Sequence, residues 1–192
     1  MAYQYDYFFS YKRDPQSDLW HRTVREKLDF LLRMELGRPT LSAFLDTEEI
    51  AAGLNVKEKL AESAKKSRCA ICIWSPLYFQ SKWCVSEWKT FHERERGWNC
   101  NVVVPASYHD GKNFPADAKS KQFMDFSEYT SIMDGFWGTV RAVNFEPILK
   151  KFAKDAAIII RGAPAYDDSF PVTEVDDSEL QPPPDIGRPA NG

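Results

Sequence analysis

The run CAICIWS, residues 69–75, limits the possible folds of this chain more than any other stretch, because it is apolar on both of its faces. A strand of this kind needs cover on two sides, as in the centre of a parallel sheet with helices above and below it. Other short apolar runs are typical of strands, and segments with apolar residues at helical spacing lie between them. This alternation predicts an α/β protein built around a parallel sheet.

The remaining elements follow from the same spacing rules. Further strands are expected at residues 5–10, 40–46, 101–107 and 122–127. Helices are expected from Ser17 or Asp18 to Leu36, where Gly37 and Pro39 stop the first one, from Asn55 onward, after the strand at 69–75, and from Asn144 onward. The last of these helices would hold Pro147 in its first turn, where a proline is tolerated. Residues 128–143 fit no single element.

Composition narrows the function classes. With 25 Lys and Arg against 28 Asp and Glu, the net charge of −3 gives no basic field for nucleic acid. The N-terminus lacks the pattern of a signal peptide, and no apolar run approaches the roughly 18 residues of a spanning helix, so we expect a cytoplasmic protein without a membrane partner. The four cysteines and three histidines have no metal-site spacing, and we expect the histidines at the surface.

The C-terminal stretch differs in character from the rest. Residues 164–192 hold six of the twelve prolines and seven acidic residues against one arginine. Such a segment buries too little apolar surface to offset the entropy of ordering it. We therefore expect a single domain over residues 1–162, followed by an acidic, Pro-rich disordered tail or linker over residues 163–192.

Three separated stretches carry a family resemblance. YDYFFSYKRD resembles the first signature of the Toll/interleukin-1 receptor (TIR) domain family, and FLDTEEIAAGLNVKEKLAESAKKSR resembles its second strand, mobile loop and following helix. SPLYFQSKWCVSEW is similar to the Ser-Pro and Ser-x-Trp-Cys-x-x-Glu pattern of NAD-cleaving members, and this resemblance implies a chain of that type and of microbial origin. The resemblance covers residues 3–160 and implies a flavodoxin-like three-layer sandwich with a five-stranded parallel sheet in the order 2-1-3-4-5.

Family membership implies one of two functions. The first is an NAD glycohydrolase or cyclase that releases nicotinamide and gives ADP-ribose or a cyclic ADP-ribose signal, in immune or antiphage defence. The alternative is a non-enzymatic adaptor that binds other TIR domains. The expected partners are NAD, as substrate rather than cofactor, other TIR domains by self-assembly, and a downstream effector or fused domain.

Ligands of open parallel sheets bind beyond the carboxyl ends of the strands, where the strand order reverses. The loops that reach this edge supply the candidate residues. Glu87 is the candidate catalytic group, and it lies four residues after Trp83, so the two side chains share a helix face. The candidate substrate-binding residues are Ser10, Tyr11, Lys12, Arg13, Asp46, Ser81 and Trp83. The candidate assembly loop contains Thr47, Glu48, Glu49, Ile50, Gly53 and Leu54, and no metal ligands are predicted.

One carboxylate suits the chemistry of a nicotinamide leaving group. Cleavage of the bond to ribose gives an oxocarbenium-like centre, and the departing pyridinium becomes neutral without a general acid. A fixed negative charge at Glu87 stabilises that centre, while Trp83 offers a stacking surface and Lys12 and Arg13 offer positive charge for phosphate oxygens.

Other interpretations make different predictions. Nucleoside deoxyribosyltransferases use a similar sheet with a glutamate nucleophile, which predicts a covalent sugar adduct on Glu87. An adaptor predicts no loss of NAD in any state of assembly. A phosphoacceptor receiver domain needs an acidic pair after the first strand, and FFSYK lacks one. Trp88, where an aliphatic residue is more usual, and the alanines of TEEIAAG depart from the enzymatic pattern, so the product stays open.

Overall fold

The computed structural model describes residues 2–45 and 56–183. They form a five-stranded sheet in the order β2-β1-β3-β4-β5, in which every neighbouring pair is parallel. The strands are β1 (Tyr7–Tyr11), β2 (Ala43–Leu45), β3 (Ala70–Trp74), β4 (Val103–Ser107) and β5 (Met124–Asp125). The helices are α1 (Asp18–Leu36), α2 (Val56–Lys65), α3 (Lys82–Trp98), α4 (Ala116–Ser120) and α5 (Val140–Gly162). Short 3-10 turns lie at Tyr78–Gln80, Ser127–Tyr129, Asp134–Gly138 and Asp177–Glu179.

The central strand β3 confirms the prediction from its sequence. It pairs with β1 on one side and with β4 on the other, and all five of its residues are buried. Right-handed crossovers in this strand order place α1 and α5 on one face of the sheet and α2 and α3 on the other. In agreement, α1 packs against α5, and α2 packs against α3. The predicted flavodoxin-like three-layer α/β sandwich and its strand order are therefore confirmed.

The register of the sheet determines where polar side chains meet. Ser10, near the end of β1, lies beside Cys72 of β3. Ser10 is one residue from the carboxyl end of β1, at the edge of the sheet where the loop between β3 and α3 emerges. The sheet thus brings the end of the first strand next to the start of the third helix.

Two predicted boundaries in the last third of the domain were wrong. The strand expected at 122–127 is reduced to the two residues of β5. Helix α5 begins at Val140, four residues before Asn144, because the Thr139 hydroxyl accepts a hydrogen bond from the Ala142 amide and caps the helix there. Pro147 is therefore in the helix interior, where it cannot donate to the carbonyl four residues earlier.

Part of the segment after residue 162, which the sequence predicts to be a disordered tail or linker, packs against the domain. Residues 170–181, which we call the strap, run along α3, and Phe170 and Val175 are buried there. Two apolar anchors and backbone hydrogen bonds to α3 hold a segment whose overall composition is polar. Residues 184–192 lie outside the described residues, so the prediction stands untested for them.

His21 was also predicted incorrectly, since it is buried rather than on the surface. Its ring is stacked between Tyr11 and Tyr108, at centroid distances of 4.5 and 4.9 Å, and Nδ1 lies 2.8 Å from the Ser17 carbonyl oxygen. Burial lowers the pKa of His21 to about 4. The ring is therefore neutral near pH 7, and its Nδ1–H donates to Ser17.

All four cysteines are free thiols, and Cys69, Cys72 and Cys84 are buried. Within the described ranges, none of the helices combines the length and the apolar character needed to span a bilayer.

Candidate functional site

The site is built around a hydrogen bond between the first strand and the third helix. Ser10 is 1% exposed, and its Oγ lies 2.6 Å from Oε2 of Glu87, which is half-buried in the second turn of α3. A carboxylate only accepts hydrogen bonds, so the Ser10 hydroxyl is the donor. Two residues 77 positions apart in the sequence are thereby brought into direct contact.

Tyr78 continues this contact into the core. The 3-10 turn after β3 places its hydroxyl 2.8 Å from Ser10 Oγ. Since the only proton of Ser10 is given to Glu87, Tyr78 donates to Ser10, and the chain of donors ends on the carboxylate. Burial raises the pKa of Tyr78 well above its ordinary value, so the phenol keeps the proton that this arrangement needs.

Helix α3 presents one face to an open cleft. Trp83, Ser86, Glu87 and Thr90 follow the i, i+3, i+4, i+7 spacing of a single helix face, and all four line the cleft. Trp83 is 44% exposed, although it is a large aromatic residue, whereas Trp88 is buried in the core as its sequence context predicts. An exposed indole ring one turn before a half-buried carboxylate is an arrangement suited to a ligand.

Three elements enclose the cleft, which has a volume of about 430 Å³. Helix α2 and helix α3 form two walls, and the strap forms the third. The lining residues are Glu58, Leu60, Ala61 and Ala64 of α2, Lys82, Trp83, Ser86, Glu87 and Thr90 of α3, and Val172, Thr173 and Glu174 of the strap. The cleft thus carries three carboxylates and one ammonium group among mostly small or apolar side chains.

This charge balance favours a ligand with positive character near Glu87. In the described ranges, there is no group of three or more His, Cys, Asp or Glu side chains that could hold a metal ion. Among the described residues, the cleft lining offers carboxylates, hydroxyls, one lysine and one indole ring for chemistry.

The other predicted binding residues of the first loop lie apart from the cleft lining. Tyr11 points its ring toward α1, where its hydroxyl donates to Asp18 Oδ1 at 2.9 Å and its ring stacks on His21. Lys12 and Arg13 follow directly after β1 and are half-buried and exposed, respectively. These three assignments stay predictions.

Of the remaining candidate residues, the structure describes Ser81 but not Asp46 or the predicted assembly loop. Ser81 is the N-cap residue of α3, where its carbonyl accepts from the Val85 amide at 3.0 Å, so it shapes the start of the helix that carries Trp83. Asp46 and the whole predicted assembly loop, Thr47, Glu48, Glu49, Ile50, Gly53 and Leu54, lie outside the described residues.

Sequence reasoning missed several residues of the site. Ser86 and Thr90 were detectable, because they share the helix face of Trp83 and Glu87 by spacing alone. Tyr78 was not, since no periodicity indicates which way a residue of a short turn points. The strap was missed because its composition outweighed its two apolar anchors, Phe170 and Val175.

Comparison with known proteins identifies the family. A family model described as "TIR domain" matches residues 8–136. Over 90 residues the chain is 38% identical to the "Disease resistance-like protein CSA1" of Arabidopsis thaliana, a match that covers 45% of this chain. The matched region spans 7% of the length of that plant protein.

Two solved structures are similar at low sequence identity. The TIR domain of the Toll-related receptor TRR-2 from Hydra magnipapillata has a TM-score of 0.48 at 18% identity, covering 77% of this chain and 99% of that one. The TIR domains in the activated Roq1 resistosome, which directly recognizes the pathogen effector XopQ, have a TM-score of 0.46 at 19% identity. That match covers 81% of this chain and 85% of the other.

Proposed function

The chain belongs to the TIR domain family, and from that premise we propose that it cleaves the nicotinamide–ribose bond of NAD in the cleft of Glu87. The family includes members with this activity, so membership alone does not decide the function. The hydrogen bond from Ser10 to Glu87 at 2.6 Å is the observation that carries the proposal. A surface glutamate that only stabilises its own helix does not require a hydrogen bond from a buried serine on a strand.

The geometry of this carboxylate suits the reaction. As the C–N bond breaks, its electron pair leaves with nicotinamide, which becomes neutral, and positive charge develops at the ribose C1′. A carboxylate held in place by Ser10 stabilises that charge without first reorganising. Water then adds to C1′ and loses a proton, which gives ADP-ribose. Alternatively, a nucleophile within the same molecule adds and gives a cyclic product.

The indole ring of Trp83 supplies the binding surface for the leaving group. It is exposed in the cleft and precedes Glu87 by one helical turn. A flat cationic pyridinium stacks favourably on such a ring, because the face of the indole is electron-rich. Stacking would hold the nicotinamide next to the carboxylate, with the scissile bond between them.

The wider role follows from the family and is part of the same proposal. We expect chains to act in assemblies with other TIR domains, in the cytoplasm, and to serve innate immune or antiviral defence by consuming NAD or making a nucleotide signal. The sequence similarity to a plant disease resistance-like protein supports a role in immunity.

The experiment compares the wild type with Glu87→Gln at high protein concentration, with all products of an NAD incubation identified by NMR. Glutamine keeps the size of the side chain and its ability to accept from Ser10, but removes the charge. We expect nicotinamide release to fall by at least about 100-fold, the effect of losing a dominant electrostatic contribution. Equal rates in both proteins, with both folded, would remove Glu87 from the reaction.

A further inference from the structure

We propose that the strap is a wall of the substrate site, and that Val172 and Glu174 are residues that determine its preference for a cationic ring. The inference rests on the proposed function, because the ligand in question is NAD. It assigns to the C-terminal segment a binding role that lies outside the residues matched by the family model.

The strap is anchored firmly at its first residue. Phe170 is buried, and its ring packs on the guanidinium of Arg94, with 4.2 Å between the Arg94 Cζ and the ring centroid. Arg94 in turn donates to the carbonyls of Ala64 and Ser67, at 3.1 and 2.7 Å, at the end of α2. One contact therefore links the strap to both helices that form the other walls of the cleft.

The strap then follows the same face of α3 that carries Glu87. The Thr173 amide donates to Thr90 Oγ1 at 2.9 Å, and the Val175 amide donates to Ser86 Oγ at 3.1 Å. Val175 itself is fully buried. These bonds fix the backbone of the strap beside the catalytic turn of the helix.

Charged side chains and a further backbone bond complete the attachment. Glu179 pairs with Lys89 of α3 at 2.6 Å, and Asp177 lies 4.0 Å from Lys82. The Gln181 amide donates to the Phe79 carbonyl at 2.9 Å, just before α3 begins. The strap is thus held at both ends and along its length, as a wall must be.

The strap lines the cleft without filling it. With the strap in place, the cleft still has about 430 Å³, within the roughly 300–1,000 Å³ that is usual for small-molecule sites. Val172 remains 47% exposed, and Glu174 is exposed as well. An inhibitory plug would occupy the space next to Glu87, whereas this segment leaves it open and adds an apolar contact and a carboxylate to its border.

Those two side chains suit one end of NAD in particular. A valine contacts the edge of a flat ring, and a second carboxylate favours a positive charge there. The oxidised nicotinamide ring carries that charge, and the dihydronicotinamide ring of NADH is neutral. The strap therefore favours NAD⁺ over NADH.

The first test measures NAD⁺ binding by calorimetry in Glu87→Gln, which does not consume the ligand, with and without Val175→Asp. A carboxylate is unfavourable at the buried position of Val175, so this substitution should detach the strap from α3. We expect the Kd for NAD⁺ to rise about tenfold, which corresponds to the loss of one good contact. In the otherwise unaltered chain, Val175→Asp should raise KM by a similar factor and change kcat little, because the strap acts in binding. Val143→Asp, at an exposed valine on α5, is the matched control that should change neither.

A second pair of variants covers the case in which Val175→Asp does not fold. Val172→Ser and Glu174→Gln alter exposed side chains, so the fold should tolerate them. Each should raise the Kd for NAD⁺ about threefold, a fraction of the tenfold factor for a full contact, and Glu174→Gln should also reduce the preference for NAD⁺ over NADH.

The outcomes separate this inference from the proposed function. Binding that depends on the strap, without cleavage of NAD by the wild type, would support the wall and overturn the catalytic proposal. If the wild type cleaves NAD and none of the three strap substitutions changes KM, the role of the strap is overturned and the catalytic proposal remains. A wild type that neither binds NAD⁺ nor cleaves NAD would overturn both.

Discussion

Ser10 has one hydroxyl proton, and the direction in which it points organises the site at the scale of single residues. It is directed to Glu87, because a carboxylate can only accept, and this leaves Ser10 Oγ to receive the proton of Tyr78. The carboxylate is therefore oriented by a residue that is itself oriented from the core. Removal of the outer donor, Tyr78, should affect catalysis without touching the ligand.

Tyr78→Phe tests this arrangement with almost no change in volume. Without the phenol, the Ser10 hydroxyl is less constrained, and the carboxylate is held less rigidly. We expect kcat for NAD cleavage to fall about tenfold, with KM unchanged, which equals a loss of roughly 1.4 kcal/mol in the transition state. Steady-state kinetics at a fixed concentration of folded protein provides the measurement.

Tyr7→Phe is the matched control for that variant. Tyr7 is also a buried tyrosine, and its hydroxyl donates to Asp29 rather than to the site. Both substitutions should lower the free energy of unfolding by about 1 kcal/mol, the usual value for a lost hydrogen bond. Only Tyr78→Phe should change kcat, and equal kcat values in the two variants would contradict the role of Tyr78.

Residues on regular elements were the ones that sequence could place. Glu87 and Trp83 were assigned to one helix face by their spacing, and the structure places both on the cleft. Their neighbours Ser86 and Thr90 follow the same rule. Tyr78 could not be found in this way, because its position depends on how a three-residue turn crosses the end of the sheet, which is a tertiary property.

At the scale of elements, helix α5 shows how a local signal can mislead. A helix that starts at Asn144 would hold Pro147 in its first turn, where proline is tolerated. The cap at Thr139 begins the helix earlier and leaves Pro147 inside it, exposed to solvent. The helix therefore lacks one backbone hydrogen bond, to the carbonyl of Val143.

Pro147→Ala should consequently stabilise the protein. Alanine restores the amide donor and has a much higher helix propensity, while the loss of proline's rigidity in the unfolded chain offsets part of the gain. We expect the free energy of unfolding to rise by about 1–2 kcal/mol, a part of the roughly 3 kcal/mol propensity difference. Urea denaturation followed by circular dichroism measures it. Lys154→Ala, at an exposed position of the same helix, should stay within about 0.5 kcal/mol of wild type, and a destabilised Pro147→Ala would refute this account.

Strands were predictable in proportion to their burial. β1, β3 and β4 are buried along their whole length, and their apolar runs identified them within two residues at either end. β5 was expected to be six residues long and has two, because an edge position with partly exposed side chains leaves a weak pattern. The strap was missed because its two buried residues, Phe170 and Val175, lie in a segment that consists mostly of polar residues and prolines.

At the scale of the whole molecule, His21 makes stability depend on pH. It joins α1 to the end of β1 and to the residue after β4, because it is stacked between Tyr11 and Tyr108. Burial lowers its pKa from 6.5 to about 4, and the nearby carboxylates of Asp14 and Asp18 oppose this shift only in part. The folded protein therefore resists a proton that the unfolded chain accepts.

The sign of the effect follows from proton linkage. Between pH 6.5 and pH 4 the unfolded state binds more protons at this ring than the folded state does, so stability falls as the pH is lowered. His21 should account for a loss of roughly 3 kcal/mol across that window, and for none above it. Urea unfolding at several pH values measures the dependence, which His21→Phe should reduce by that amount.

His109→Phe is the comparison for that series. His109 is exposed, so its replacement should leave the pH dependence of the wild type unchanged. If the curves of His21→Phe and wild type run parallel from pH 7 to pH 4, the ring is protonated without penalty, and the assignment fails.

The cleft also has a consequence for the order in which the chain is made. Its parts come from residue 10 at one extreme and residues 172–174 at the other, with the carboxylate about midway between them. During synthesis from the amino terminus, Ser10 leaves the ribosome early, Glu87 much later and the strap last. No early fragment of the polypeptide holds every part of the site, so the complete cleft forms only when translation of this region is nearly finished.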